Sequence, residues 1–305
     1  MKEKDFLSIS SLTCDEVNLI VQDAKLIKKQ GSQKLLTGKI IAMIFEKPSF
    51  RTRLSFEVGI LDMGGESVYL GKDDVGLGVR EPESDIAGVL DRWVDGIVAR
   101  VYSHRSLEIL SRKTNIPVIN ALSDIEHPCQ AMGDLLTILE HKKSFEGLKI
   151  AFIGDGNNVA SSLALACTSV SADFVLSSPR DYKVNQTIWA EAEQRALRNN
   201  SNIAWIENPS EAVQCADVVY TDVWVSMGQD SERSERLIAF EGYQVNQELM
   251  ELAKSDAIFM HDMPAHRGEE ISNGMLEDDR SVVFDQAENR LHAQKAILAK
   301  LFSGS

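Results

Sequence analysis

The chain is short of everything that would mark a membrane, secreted or nucleic-acid-binding protein. Within its 305 residues no apolar run approaches the roughly 20 residues that a membrane span needs. The opening Met1-Lys2-Glu3-Lys4-Asp5 has no apolar leader core, so the sequence is read as that of a cytoplasmic protein. The four cysteines, Cys14, Cys129, Cys167 and Cys215, are scattered without a CxxC pair. Neither a disulfide framework nor a zinc site is expected from them, and they are read as free thiols. Positive charge is scarce as well. Thirty-two Lys and Arg against 46 Asp and Glu leave a formal charge of -14, which excludes a phosphate backbone as partner. That field also repels small anions, so an anionic ligand would need a local cluster of arginines and N–H groups in a cleft.

What is present is ordinary for a soluble α/β protein. The 44% hydrophobic and 26% charged content is typical, and the length allows two domains. The most informative stretch is Ser49-Phe50-Arg51-Thr52-Arg53. It follows the apolar run Ile40–Phe45, read as a buried strand, and the breaker Glu46-Lys47-Pro48. Amphipathic spacing resumes at once, so the stretch is expected at a helix N-terminus, at the carboxyl end of a strand. Free N–H groups and the helix dipole favour an anion there, and the Arg51 guanidinium suits phosphate oxygens. A Ser/Thr-capped helix with solvated arginines reads equally well from this stretch alone.

The remaining periodicity predicts a helix over 13–30, capped by Thr13 with Glu16 closing a capping box. A helix from about 52 and a short strand near 66–70 follow, then a Gly-rich loop over 71–82. A helix over about 83–93 leads to a strand at 96–101 with Arg100 at its carboxyl end, where ligands collect in open sheets. A helix at about 104–114 and a strand at 117–121 come next. His127-Pro128-Cys129-Gln130 opens a further helix to about Lys143, with Pro in the favoured first turn. A second run starts with a strand at 149–153, then Gly154-Asp155-Gly156-Asn157-Asn158 and a helix. Further strands are expected at 173–177, 203–206, 217–220, 257–260 and 281–284, and a last helix over about 287–302. Such alternation predicts an α/β fold of two domains, each a mostly parallel sheet flanked by helices.

Gly154-x-Gly156 invites a dinucleotide reading. The third position of that fingerprint is Val159, and no acidic residue stands clearly at the ribose position, so the signal is weak. Asp222 and His261-Asp262 each follow an apolar run, placed at strand ends. Arg290 reads either as a surface charge or as a second anion contact.

Taken together, Ser49–Arg53, Arg100, His127–Gln130, Asp155–Asn158, Asp222-Val-Trp-Val-Ser226-Met227-Gly228 and Glu288-Asn-Arg290 resemble the ornithine carbamoyltransferases, within the aspartate/ornithine transcarbamylase family. The resemblance covers nearly the whole chain. It implies a carbamoyl-phosphate-binding domain over 1–143, joined by a return helix over about 287–305 that packs back on it, and an amino-acid-binding domain over 144–286. It implies transfer of the carbamoyl group of carbamoyl phosphate to the side-chain amine of L-ornithine, giving L-citrulline and phosphate, with no metal or organic cofactor. It also implies a homotrimer in which each site borrows a neighbour's loop. Carried over residue by residue, Ser49, Phe50, Arg51 and Thr52 would hold phosphate. Arg100, His127, Gln130 and Arg290 would address the carbamoyl group. Asn158, Asp222, Ser226 and Met227 would grip the amino-acid end of ornithine, leaving its side-chain amine to attack, and Asp262 and Met263 would complete the acceptor side.

Three positions break the pattern. The family has His-Cys-Leu-Pro where this chain has His261-Asp262-Met263-Pro264. Met263 for Leu conserves volume, but Asp262 for Cys adds a second carboxylate beside Asp222, expected to raise one pKa and to hold the amine protonated. Gly76 stands where the family has Gln or His in the borrowed loop. These departures keep open a carbamoyltransferase for another amine, or a catalytically weak carbamoyl-phosphate-binding relative.

Overall fold

The computed structural model describes residues 4–226 and 228–303. The chain divides into two compact units, Met1–Leu136 with Glu288–Ser305, and Thr137–Ala287.

The first unit holds strands β1 (Ile40–Phe45), β2 (Glu66–Gly71), β3 (Gly96–Arg100) and β4 (Val118–Leu122), with helices α1 (Cys14–Gln30), α2 (Phe50–Asp62), α3 (Lys72–Val75), α4 (Glu83–Trp93) and α5 (His104–Lys113). Helix α6 (Pro128–Lys142) begins in this unit and ends in the next. All strand pairs are parallel, in the order β2-β1-β3-β4. Both faces of such a sheet are covered, so its strands are continuous apolar runs rather than alternating ones. β1, β3 and β4 are accordingly buried along nearly their whole length. Helix α1 starts where expected. The Thr13 hydroxyl accepts from Glu16 N–H, and the Glu16 carboxylate accepts from Thr13 N–H. Its stripe Val17, Ile20, Val21 and Ala24 is buried.

The second unit holds β5 (Lys149–Ile153), β6 (Asp173–Ser177), β7 (Ile203–Trp205), β8 (Val218–Thr221) and β9 (Ile258–His261). Its helices are α7 (Asn158–Ser169), α8 (Gln186–Arg198), α9 (Pro209–Ala212), α10 (Arg233–Ala239) and α11 (Gln247–Glu251), and α12 (Val283–Phe302) starts here. The strands are again all parallel, ordered β7-β6-β5-β8-β9. From Glu288 onward α12 belongs to the first unit, so the last helix does pack back on it. Among the described residues no helix is long and apolar enough to cross a membrane.

Each sheet has one point where strand order reverses, between β1 and β3 in the first and between β5 and β8 in the second. Open parallel sheets bind ligands beyond the carboxyl ends of their strands at such a point. The segments that follow β1, β5 and β8 carry Ser49–Arg53, Gly154–Asn158 and Asp222, and Arg100 is the last residue of β3.

Some expectations differ from the structure. The expected strand at 281–284 is absent: Ser281 makes a single bridge to Phe259, and α12 begins at Val283. The three apolar residues Val282, Val283 and Phe284 cannot by themselves separate a strand from a helix start. Helix α2 begins at Phe50 rather than about 52, with Ser49 as its cap. The loop over 71–82 contains the one-turn helix α3, closed by Gly76 at φ 57°. Helices α8 to α11 had not been picked out from the sequence.

Candidate active site

In the first unit, the register pairs Phe45 with Arg100, and Glu46 N–H donates to Arg100 C=O at 2.9 Å. The ends of β1 and β3 are thereby locked side by side. Ser49 caps α2, its hydroxyl accepting from Thr52 N–H at 3.3 Å and donating to Thr52 Oγ1 at 2.9 Å. Thr52 is fully buried and is the hub of the cluster. Its Oγ1 accepts from the Arg100 guanidinium at 3.4 Å and also from Arg290. Arg290 in turn faces His127 Nε2 at 3.2 Å. A guanidinium can only donate, so Nε2 is the acceptor and the His127 proton is on Nδ1. Burial, then the charges of Arg290 and Arg100, hold the His127 pKa well below its ordinary value, so its ring is neutral.

Gln130 in the first turn of α6 donates through Nε2 to Asp134 at 2.8 Å, which fixes its amide. Its Oε1 is buried and has no hydrogen-bond partner among the described residues, an acceptor held ready for an N–H donor. Close helix contact places Arg290: a side chain on Gly133 of α6 would meet the Arg290 Cα at 3.1 Å. Phe50 is 69% exposed with the Arg51 guanidinium over its ring. Arg53 turns away, paired with Glu57 at 2.8 Å and covering the Tyr69 ring. The sequence reading missed Lys47. Burial first, and then the Arg100 charge, lower its pKa, so its amine lies within reach of the Arg100 field.

The second unit assembles the opposite charge. The register pairs Thr221 with His261, so the next residues, Asp222 and Asp262, emerge side by side. Ligand atoms of Asp222, His261 and Asp262 lie within 4.8 Å of one another. Asp222 is buried; it accepts from Val223 N–H at 2.7 Å and from the Asn157 amide at 2.7 Å. Burial, followed by the Asp262 charge and a hydrogen bond with it, raises the Asp222 pKa well above the ordinary carboxylate range. His261 has both nitrogens committed. Nδ1 accepts from Met263 N–H at 2.9 Å, so the proton is on Nε2, which faces the buried Glu270 at 3.1 Å. With its Nδ1 lone pair used, His261 does not suit a metal ion shared with the two aspartates. Asp155, paired with Arg236 at 2.8 Å, is raised to about 6, chiefly by burial.

Of the expected ornithine-side residues, Asp222 and Asp262 come together. Asn158 opens α7 half-buried, and it is the preceding Asn157, capping α7, that reaches Asp222. Asn157 was legible as a cap, being an Asn directly before a helical run. Ser226 N–H is tied to Gln229 at 3.0 Å. Met263, at φ 53°, packs against the core of this unit. Met227 lies outside the described residues.

The Gly154-x-Gly156 pattern also has its explanation. A Cβ on Gly156 would fall 2.2 Å from Val184 N and 2.3 Å from Lys183 C. The glycine lets the chain's own 182–184 backbone approach, with Gly156 N–H donating to Tyr182 C=O at 2.8 Å. In a dinucleotide fold the second glycine leaves that approach to a pyrophosphate; here protein backbone takes it.

Residues 4–140 match the carbamoyl-P binding domain of aspartate/ornithine carbamoyltransferase, and residues 146–301 match its Asp/Orn binding domain. An ornithine carbamoyltransferase of Thermococcus kodakarensis is 48% identical over 99% of this chain and 97% of its own length. The anabolic ornithine carbamoyltransferase of Pyrococcus furiosus is 47% identical over 99% of this chain and 97% of its own. Among solved structures, an ornithine carbamoyltransferase from Pyrococcus furiosus superposes with TM-score 0.95 at 46% identity, covering 99% of this chain and 97% of its own. The anabolic enzyme of Campylobacter jejuni gives TM-score 0.95 at 37% identity, with 99% and 100% covered. With both family domains matched in order along one chain, the protein belongs to the aspartate/ornithine carbamoyltransferase family.

Proposed function

We propose that the protein transfers the carbamoyl group of carbamoyl phosphate to the side-chain amine of L-ornithine, giving L-citrulline and phosphate, as an anabolic step toward arginine. The observation that carries this reading is the Arg100–Thr52–Arg290–His127 cluster at the cap of α2. Two buried guanidiniums beside a helix N-terminus suit a phosphate and a carbonyl oxygen. Ser49, Phe50, Arg51 and Thr52 bind the phosphate. Arg100 and Arg290 stabilise the negative charge that builds on the carbonyl oxygen when an amine attacks. Neutral His127 donates without adding a charge, and Gln130 Oε1 accepts from the carbamoyl NH₂. The amine must be unprotonated to attack the carbonyl carbon; the C–N bond forms, and the C–O bond to phosphate then breaks.

In the second unit, Asp222 and Asp262 receive the side-chain amine, with Asn157 orienting Asp222, while Asn158, Ser226, Met227 and Met263 serve the rest of ornithine. A second reading is favoured by Asp262 itself. Two carboxyl groups at the amine suit an acceptor of higher positive charge than ornithine, which makes another amine the alternative substrate. The same resemblance carries the domain roles stated for 1–143 and 144–286, a cytoplasmic location and a homotrimer, which light scattering would show as the mass of three chains.

The test is product identification by mass spectrometry with carbamoyl phosphate and a panel of ornithine, lysine, putrescine and aspartate. Citrulline as the main product supports the ornithine reading. Turnover of another amine alone replaces it with the second, and no ureido product from any amine refutes both.

A further inference from the structure

Just beyond Asp262 the chain makes a tight turn. Gly268, at φ 91°, lets its N–H donate to Ile271 C=O at 2.7 Å, while Glu269 N–H donates to His266 C=O at 3.0 Å. The turn gathers His266, Glu269 and Glu270. His266 Nδ1 lies 3.8 Å from Glu269 Oε2 and 3.9 Å from Glu270 Oε2, and one ligand atom from each of the three residues falls within 4.8 Å of the others. His266 Nδ1, Glu269 Oε2 and Glu270 Oε2 are buried and have no hydrogen-bond partner among the described residues.

The Glu270 side chain is fully buried, yet only its other oxygen is satisfied, by His261 Nε2 and by His266 N–H. Likewise, Arg233 pairs with the other oxygen of Glu269. A buried carboxylate oxygen without a partner is costly. Two of them beside an imidazole nitrogen of the same kind call for a cation. A protonated His266 answers poorly, because 3.8 and 3.9 Å are too long for hydrogen bonds.

We propose that His266 Nδ1, Glu269 Oε2 and Glu270 Oε2 form a binding site for a divalent transition-metal ion of the zinc or manganese class. One imidazole and two carboxylates are a ligand set such ions take. Metal–ligand bonds of about 2.1 Å need donors roughly 3–4 Å apart, a spacing that small side-chain rotations reach here. The His266 side chain as a whole is 41% exposed, so the turn lies at the surface and a rotation of the ring would admit an ion. Arg233 on Glu269 and the His261 ring on Glu270 hold the two carboxylates from behind, the arrangement that orients metal ligands. The bound ion would fix the turn that follows Asp262. The site is independent of the carbamoyl-transfer reading, which needs no metal.

The full-length protein, stripped with a chelator and dialysed, would be titrated calorimetrically with Zn²⁺ and with Mn²⁺. Expected are one ion per chain, a higher melting temperature with the ion present, and an X-ray absorption spectrum at the zinc edge with one imidazole and oxygen neighbours. His266→Ala and Glu269→Gln, both at partly exposed positions, should each weaken binding by roughly tenfold or more, while Asp262→Asn leaves it unchanged. Wild-type binding no tighter than that of His266→Ala would overturn the proposal in favour of a plain imidazolium–carboxylate pair. Loss of binding in Asp262→Asn alone would overturn it in favour of the neighbouring aspartates.

Discussion

The two units use one architectural device with opposite charge. Each gathers its candidate side chains at the carboxyl ends of parallel strands: β1 and β3, where strand order reverses, in the first, and β8 and the edge strand β9 in the second. In the first unit those ends carry Arg100, with Arg290 and the cap of α2 beside it. In the second they carry Asp222 and Asp262. The electrostatic consequences differ. The cations of the first unit are buried around a hydroxyl and a neutral imidazole, so each guanidinium stays charged and His127 does not compete. The second unit brings two carboxyl groups together, and one is driven toward its neutral form. Topology alone therefore says where a ligand goes, and the residues at the strand ends say of which sign it is.

The largest effect that would break this comparison is expected in the first unit. Arg290→Ala removes a donor to Thr52 and to His127, and should lower kcat/KM for citrulline formation by about 10³, read in a steady-state assay. Asp222→Asn comes next: kcat/KM for ornithine should fall roughly 100-fold, with KM for carbamoyl phosphate nearly unchanged.

The same variant carries a stability signature whose sign follows from the raised Asp222 pKa. A group raised in the fold favours folding below its ordinary value, about 3.9, and that contribution is lost as pH rises through the folded value. Asp222→Asn removes this loss. Its melting temperature should therefore fall less than the wild type's as pH rises from the ordinary carboxylate range toward neutrality.

A smaller effect sharpens the role of the second carboxyl. Burial raises the Asp222 pKa first and the Asp262 charge second; Asp262→Cys removes that second cause and should increase kcat/KM for ornithine on the order of fivefold, with the acid limb of the pH profile moving to lower pH. No gain, or a loss, would mean that Asp262 has a positive part in acceptor binding. The smallest concerns Gly76. A Cβ there would meet the Arg80 Cβ at 2.7 Å in a left-handed backbone. Gly76→Ala should cost about 1–2 kcal/mol and lower the melting temperature by a few degrees. The chain's own loop geometry thus requires the glycine that replaces the family's Gln or His.

The strands and their ends were readable because buried parallel strands are unbroken apolar runs, and Ile40–Phe45 and Ile150–Ile153 each end at a breaker, Pro48 and Gly154. The Thr13 cap and its box were readable because capping is local chemistry. Ser281–Phe284 was misread because a short apolar run carries no period long enough to tell strand from helix. Asn157 was readable as a cap of α7, but its second contact, to Asp222, joins residues 65 positions apart and exists only once the chain is folded. The turn of His266, Glu269 and Glu270 was invisible in a search for cysteine spacings. Its signal is three unsatisfied buried atoms, and that exists only once the chain is folded.

The measurement that tests the account most directly is citrulline formed against phosphate released, from carbamoyl phosphate and L-ornithine, in wild type, Arg290→Ala and Asp222→Asn side by side. Equal amounts of the two products are expected in the wild type, and the loss of both in each variant. Ornithine-dependent phosphate release without citrulline, or full activity in either variant, would contradict that expectation.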